Sequence, residues 1–206
     1  MEKTITSGKI IVILGPNASG KSEFAVKIAK KFKGEIISAD SRQVYKDMDI
    51  GSGKVEGMWK KIFRLKNKKY FVYKDIIHHC IDFVSLKLIF TAYDFKKYGE
   101  KAISEIIFRG KIPIICGGTG FYIDALLNNI NLSQIPPDLK LRKKLENKSC
   151  EELFLKFKKL NPEKAEKIDK KNKHRLIRAI EIETIIKLGG ATAELQGGAT
   201  AELDIL

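Results

Sequence analysis

Residues 10 to 14, Ile-Ile-Val-Ile-Leu, form an unbroken aliphatic run without alternation. A strand covered by helices on both faces has that pattern, so the run predicts a buried parallel strand. Phe24, Ile28 and Phe32 then recur at helical spacing with Ala25 and Ala29 alongside, and Lys27, Lys30 and Lys31 lie between them. This predicts an amphipathic helix with the phenylalanines on its apolar face, closed by Gly34 as a C-cap. Glu35-Ile36-Ile37-Ser38 reads as a second short strand that stops at Ala39-Asp40, and Ser41 to Lys54 as a polar loop turning at Gly51 and Gly53. The basic and aromatic stretch from Met58 to Asp75 suits a hairpin around Asn67-Lys68. Tyr93, Phe95, Tyr98, Ala102, Ile103, Ile106 and Ile107 mark a long helix ending near Gly110, followed by a strand from Ile112 to Cys116.

Beyond Pro136-Pro137 the period is purely helical, with Leu153, Phe154, Phe157 and Leu160 on one face and Leu176, Ile177 and Ile180 on another. The expected organisation is an α/β core over residues 1–134, a helical insertion over 135–188 and an atypical tail over 189–206. In that tail Gly189 to Leu195 recurs as Gly197 to Leu203, a duplication too short for a solenoid.

The first strand runs into Gly15-Pro16-Asn17-Ala18-Ser19-Gly20-Lys21-Ser22, a complete G-x-x-x-x-G-K-[ST] phosphate loop. Its glycines let successive N–H groups turn toward an anion, Lys21 adds a charge for the outer phosphate, and the Ser22 hydroxyl suits Mg2+. Strand, loop and helix arrive in the required order, so the helix N-terminus faces the phosphates. The fold expected is therefore α/β, a P-loop NTPase-like parallel sheet flanked by helices, with a helical insertion subdomain. Asp40, at a strand's carboxyl end, falls on the edge where open α/β sheets bind ligands. Gly117-Gly118-Thr119-Gly120, after the strand 112–116 and before the helical run Phe121 to Leu127, is a second close-approach turn on that edge.

Charge and cysteine usage narrow the class. The 206 residues carry 39 Lys and Arg against 25 Asp and Glu, a formal charge of +14, which favours a polyanionic partner such as nucleic acid. The excess is regional, with Lys140, Arg142, Lys143 and Lys144 followed by further basic residues up to Arg175 and Arg178. Cys80, Cys116 and Cys150 form no C-x-x-C pair, which argues against a zinc site or disulfide framework. No apolar stretch approaches the ~20 residues of a membrane span, so a cytoplasmic protein without membrane contact is expected. His78 and His79 are adjacent on an extended segment and point apart, which suits core or hydrogen-bonding roles better than metal ligation.

Residues 40–51, Asp-Ser-Arg-Gln-Val-Tyr-Lys-Asp-Met-Asp-Ile-Gly, resemble the signature of the tRNA dimethylallyltransferases (the IPP transferase family). The phosphate loop, His78 to Asp82, Gly117 to Ile123 and His174 to Glu181 resemble further motifs of that family, in order, and the resemblance covers about residues 9 to 188. It implies transfer of a dimethylallyl group from dimethylallyl diphosphate to the N6 amine of the adenosine beside the anticodon of tRNA, at tRNA position 37. It also implies Mg2+ as cofactor and a monomer acting on the anticodon stem-loop. By matching, Asp40 would be the general base, Thr119 and Lys21 would act on the reacting groups, and the phosphate loop would hold the leaving diphosphate. Asp40, Ser41, Arg42, Gln43, Thr119, Arg142, His174, Arg175, Leu176, Ile177 and Arg178 would hold the tRNA. The chain departs from the family at Ser85-Leu86, where an Asp-Pro pair is usual, and the stretch between Lys54 and His78 is longer than usual. The family also continues into a further C-terminal portion, so this chain is expected to be truncated. Two other readings of the same residues are a P-loop nucleotide or small-molecule kinase and an inactive remnant that binds diphosphate or RNA.

Overall fold

The computed structural model describes residues 9–62, 65, 68–128, 130 and 132–189; the repeated tail and the tip of the 58–75 hairpin lie outside them. The chain divides after Leu132 into two compact units.

The first unit is built on a six-stranded sheet of order β1-β6-β2-β5-β4-β3. Its elements are β1 (Ile11–Leu14), α1 (Lys21–Phe32), β2 (Gly34–Ser38), β3 (Met58–Lys61), β4 (Lys69–Tyr73), β5 (Ile76–His79), α2 (Ala92–Phe108), β6 (Ile112–Gly117) and α3 (Gly120–Leu127). Strands β1, β6, β2 and β5 are parallel, as expected of strands joined through helices. The predicted hairpin is present as β3 and β4, which add antiparallel to β5 and make the sheet mixed.

Three expectations change in this unit. β1 is an edge strand whose burial alternates: Ile11 and Ile13 pack toward α1, whereas Val12 and Leu14 are 42% and 59% exposed. The aliphatic run therefore marks a half-covered strand. On α1 the seam is made by Ala25, Val26 and Ala29 against Ile36, Ile114 and Cys116, while Phe24 and Phe32 are 54% and 44% exposed. Small residues let the helix approach the sheet closely, and this displaces the phenylalanines to its flanks. Finally, α1 closes at Lys33, left-handed at φ 52°, with its N–H on the Ala29 carbonyl. Gly34 instead opens β2, where a Cβ would stand 2.7 Å from the Ile112 oxygen and 2.6 Å from Ile114 Cδ1. Its glycine answers to strand packing and not to a helix cap.

On the opposite face α2 and α3 enclose the main core, which contains Ile37, Ile115, Phe95, Ile103, Ile106, Tyr122 and Leu126. A capping box at Thr91 and Asp94 starts α2, and Phe95 stacks on Tyr122 at 4.4 Å between centroids.

The second unit is helical: α4 (Leu139–Glu146), α5 (Cys150–Leu160), α6 (Pro162–Lys167) and α7 (Lys173–Gly189). Asp138, Ser149 and Asn161 cap α4, α5 and α6 through side-chain oxygens, and the Asn172 side chain receives the Arg175 N–H at the start of α7. Leu145, Leu153, Phe157, Leu176, Ile177 and Ile180 form its core.

Candidate active site

The phosphate loop leaves the end of β1 and feeds α1 through Gly20, whose φ of 78° requires the left-handed region. Ala18 is also left-handed at φ 59°. The Lys21 ammonium folds onto its own loop, donating to the Pro16 carbonyl and lying 3.4 Å from Ser19 Oγ. These groups are solvent-accessible and shape a cradle over the helix N-terminus.

The ends of β2 and β6 close this cradle from the side. A Cβ on Gly117 would lie 2.0 Å from the Ala39 oxygen, so the two strand ends touch backbone to backbone. Ala39 N donates to the Cys116 oxygen at 2.8 Å, and Thr119 N returns a bond to the Ala39 oxygen at 3.1 Å. A Cβ on Gly118 would meet Asn17 Oδ1 at 2.9 Å, so the second glycine turn packs directly on the phosphate loop. Ser41 N donates to Thr119 Oγ1 at 3.1 Å, which ties the segment after Asp40 to that turn. Phosphate loop, Asp40 and Thr119 thus converge on one edge of the sheet.

Asp40 organises its own turn. Its Oδ1 accepts from Arg42 N at 2.8 Å and Gln43 N at 3.3 Å, and no hydrogen bond among the described residues reaches Oδ2. One oxygen fixes the carboxylate in its turn. Burial pushes the nearby Cys116 thiol up to about 11, with Lys21 pulling it down and Asp40 pushing it further up. Both charged groups therefore act on the same small volume.

Two braces of this edge carry no sequence signal that would have singled out their role. Gln43 accepts from Ser38 Oγ at 3.0 Å and donates to the Gly53 oxygen at 3.0 Å, so it is an internal strut of the 41–54 loop as well as a proposed contact. The Lys54 ammonium, with a side chain 3% exposed, reaches the Tyr45 oxygen at 2.8 Å and both Asp49 and Asp82 at 2.7 Å. Burial pulls its pKa down, and the two carboxylates more than offset this, so it is raised overall.

The paired histidines separate as the strand geometry requires. His78 is buried and bonds the Ile76 carbonyl at 3.0 Å; burial pushes it down to about 4. His79 Nε2 lies 2.8 Å from Glu35 Oε2. Among the described residues no group of three or more His, Cys, Asp or Glu is placed to hold a metal. Ser22 remains the one matched donor, and a single hydroxyl beside bound phosphate oxygens fits Mg2+, which retains waters and substrate oxygens in its shell.

In the helical unit the matched residues fall into three groups. His174 and Arg175 are exposed on the first turn of α7. Leu176 and Ile177 are 0% and 5% exposed within the core, so their side chains do not face RNA; helical periodicity turns them inward and their neighbours outward. Arg142 forks onto Glu181 with two bonds of 2.9 Å, and Arg178 also bonds Glu181 and the Ile135 oxygen. Glu181 is fully buried; burial pushes its pKa up and the two arginines more than reverse this.

A phosphate loop at the carboxyl edge of a largely parallel sheet, with a second glycine turn packed against it, defines the α/β phosphate-loop class. The IPP transferase family matches residues 43–202, and the chain belongs to that family. A tRNA dimethylallyltransferase of Acetivibrio thermocellus is 43% identical over 182 residues, covering 86% of this chain and 54% of the relative. One of Pediococcus pentosaceus is 41% identical, covering 96% and 60%. A eukaryotic dimethylallyltransferase crystallised acting on tRNA superposes with a TM-score of 0.65 at 30% identity, covering 89% of this chain and 43% of that one. A full-length tRNA isopentenylpyrophosphate transferase of Bacillus halodurans gives 0.52 at 34% identity, covering 89% and 57%. The chain therefore spans about half the length of the relatives it matches. No helix among the described residues is long and apolar enough to cross a membrane.

Proposed function

We propose that this chain carries the diphosphate-binding and proton-accepting half of a tRNA prenyl transfer. The donor is dimethylallyl diphosphate, and the acceptor is the N6 amine of the adenosine beside the anticodon. The observation that carries this reading is the convergence of the phosphate loop, Asp40 and Thr119 through the contacts Gly118–Asn17 and Ser41–Thr119. The relatives named as tRNA dimethylallyltransferases support it.

The diphosphate occupies the loop, where backbone N–H groups, the α1 N-terminus and Lys21 neutralise it as it departs. Mg2+ held by Ser22 would supply further charge neutralisation on the leaving group. The C–O bond of the allylic carbon breaks with its electron pair going to the diphosphate oxygen. The N6 lone pair forms the new C–N bond, and the N6 proton passes to the open oxygen of Asp40. The target amine is hidden in a duplex, so the adenosine must be presented from a loop and turned out of its stack. Exposed basic residues of the helical unit, Arg175 among them, provide salt-sensitive phosphate contacts, and His174 is exposed beside it. We assign the chain to monomeric, cytoplasmic tRNA modification.

The test is single-turnover transfer from labelled dimethylallyl diphosphate to an adenosine-containing anticodon stem-loop, with ATP hydrolysis followed in parallel on folded protein. Label on the RNA supports the proposal. Turnover of ATP without label transfer would move the assignment to a kinase. Folded, RNA-binding protein that does neither would mark the chain as an inactive remnant.

A further inference from the structure

A cavity of about 380 Å³ lies between α2, β4, β5 and the residues that follow β5. It is lined entirely by residues of the α/β unit, and none of its lining belongs to the phosphate loop, to Asp40–Gln43 or to the Gly117–Gly120 turn. Its volume is in the range of small-ligand sites, roughly 300–1,000 Å³. Part of its wall is β4, the strand of the hairpin that adds antiparallel to β5.

The lining combines flat rings with uncommitted positive charge. Tyr70 and His79 meet edge to face at 5.9 Å, and Phe83 and Tyr98 lie tilted at 5.2 Å. Rings in such mixed orientations present faces and edges to a flat guest. Lys46, Lys69 and Lys101 also line the cavity, and none of them has an ion pair among the described residues. Two of the carboxylates in the lining are already engaged. Asp82 binds Lys54 at 2.7 Å and receives the Trp59 indole N–H at 2.9 Å, and Glu105 is shared between Arg109 and Lys68 at 3.8 Å each. The exposed Asp47 is the remaining acid of the lining, against three unpaired lysines.

We propose that this cavity is a second ligand site, which takes a small flat aromatic anion of mononucleotide size. The ring lies among Tyr70, Phe83 and Tyr98, and the phosphate lies toward Lys46 and Lys101. The ligand is either a free mononucleotide or one nucleotide of an RNA strand, since both offer the same ring and phosphate.

The chain contains one tryptophan, Trp59, and it lines this cavity, so its fluorescence reports on the site. Adenosine 5′-monophosphate would be titrated against the full chain with pyrophosphate saturating the phosphate loop, and bound nucleotide counted independently by equilibrium dialysis. Saturable binding is expected in both measurements. It should weaken roughly tenfold or more in Lys101→Glu, an exposed substitution that leaves the core alone, and in Tyr98→Leu. Lys21→Ala should leave it unchanged. A short oligoadenylate that displaces the mononucleotide at lower concentration would identify an RNA strand as the source, and equal potency per nucleotide would identify the free mononucleotide. The proposal is overturned if dialysis finds no binding, if binding survives Lys101→Glu and Tyr98→Leu, or if it is lost in Lys21→Ala. Loss of prenyl transfer alone has no bearing on this result.

Discussion

In the α/β unit, the residues matched on the ligand edge and the residues that hold buried charge are different sets; in the helical unit they overlap at two arginines. Glu35, 1% exposed, is neutralised by Arg109 at 2.6 Å and Lys111 at 3.2 Å and hydrogen-bonded to His79 at 2.8 Å, none of which belongs to the phosphate cradle. Burial pushes its pKa up, but bonds from His79 and Arg109 win and bring it to about 2. Glu181, by contrast, is held by Arg142 and Arg178, the same two arginines assigned to tRNA by resemblance. An arginine fork committed to a buried carboxylate cannot leave for a phosphate without stranding that charge. The Asp40 carboxylate can therefore be altered without stranding a buried charge, while the helical unit has no such freedom at positions 142 and 178.

The strongest test of this separation is Asp40→Asn. It keeps an oxygen to accept from Arg42 N and Gln43 N and removes the base, so transfer should fall by roughly 10² to 10⁴ with RNA affinity and unfolding midpoint unchanged. Unchanged single-turnover transfer would remove Asp40 from the reaction, and a lowered midpoint would merge function with stability on this edge too.

Next in size is Glu181→Ala. Two guanidinium groups lose their buried partner, and destabilisation of the helical unit by about 3–5 kcal/mol is expected. Hydrogen exchange resolves where this falls: amides of α5 and α7 should lose protection, and those of β2 and β6 should keep theirs. Equal loss in both units would show that the two do not open separately.

His78 adds a pH signature to the α/β unit alone. Its folded pKa of about 4 lies below the ordinary 6.5, because burial disfavours the imidazolium. Between these values the unfolded chain binds the proton and the folded one does not, so stability rises with pH across that window and is lost as pH falls through it. The span corresponds to roughly 3 kcal/mol. Glu35, lowered from 4.5 to about 2, loses its contribution only at still lower pH, as pH falls through that second window. Urea titrations of wild type and His78→Phe should diverge in slope between pH 4 and 6.5. Parallel curves would mean that His78 is not held neutral by the fold.

Legibility in the sequence followed the range of the interactions. The phosphate loop, its helix, the glycine turn and the β3–β4 hairpin depend on neighbours within a few residues, and each was readable from spacing and residue type. The half-exposed face of β1 was not, because an aliphatic run is silent about strand order, and the order here puts β1 beside β6 at the sheet edge. Phe24 and Phe32 misled because hydrophobicity was weighed by size, whereas the seam needed Ala25 and Ala29 for close approach. The Arg178–Glu181 pair has the i,i+3 spacing of a helical ion pair and could have been found. Arg142 lies 39 residues from Glu181, and no local pattern links them. Gly34 was legible as special but for the wrong reason, since the clash it avoids is with β6.

The smallest effect is the most discriminating within the helical unit. Arg175 stands exposed on the first turn of α7, and its backbone N–H, not its guanidinium, makes the local bond, to Asn172 Oδ1 at 3.1 Å. Arg175→Ala should therefore leave unfolding within about 0.5 kcal/mol of wild type. If the side chain meets a phosphate, affinity for the stem-loop should drop uniformly across sequences, and the salt slope should fall by roughly 0.7–0.9, the value of one phosphate contact. Arg142→Ala, in contrast, should lower stability and affinity together, because the first loss entails the second. An unchanged salt slope in Arg175→Ala would take this arginine out of the RNA contact. The matched arginines left, Arg142 and Arg178, both serve the fold of the helical unit, and the contrast with the sheet edge would be complete.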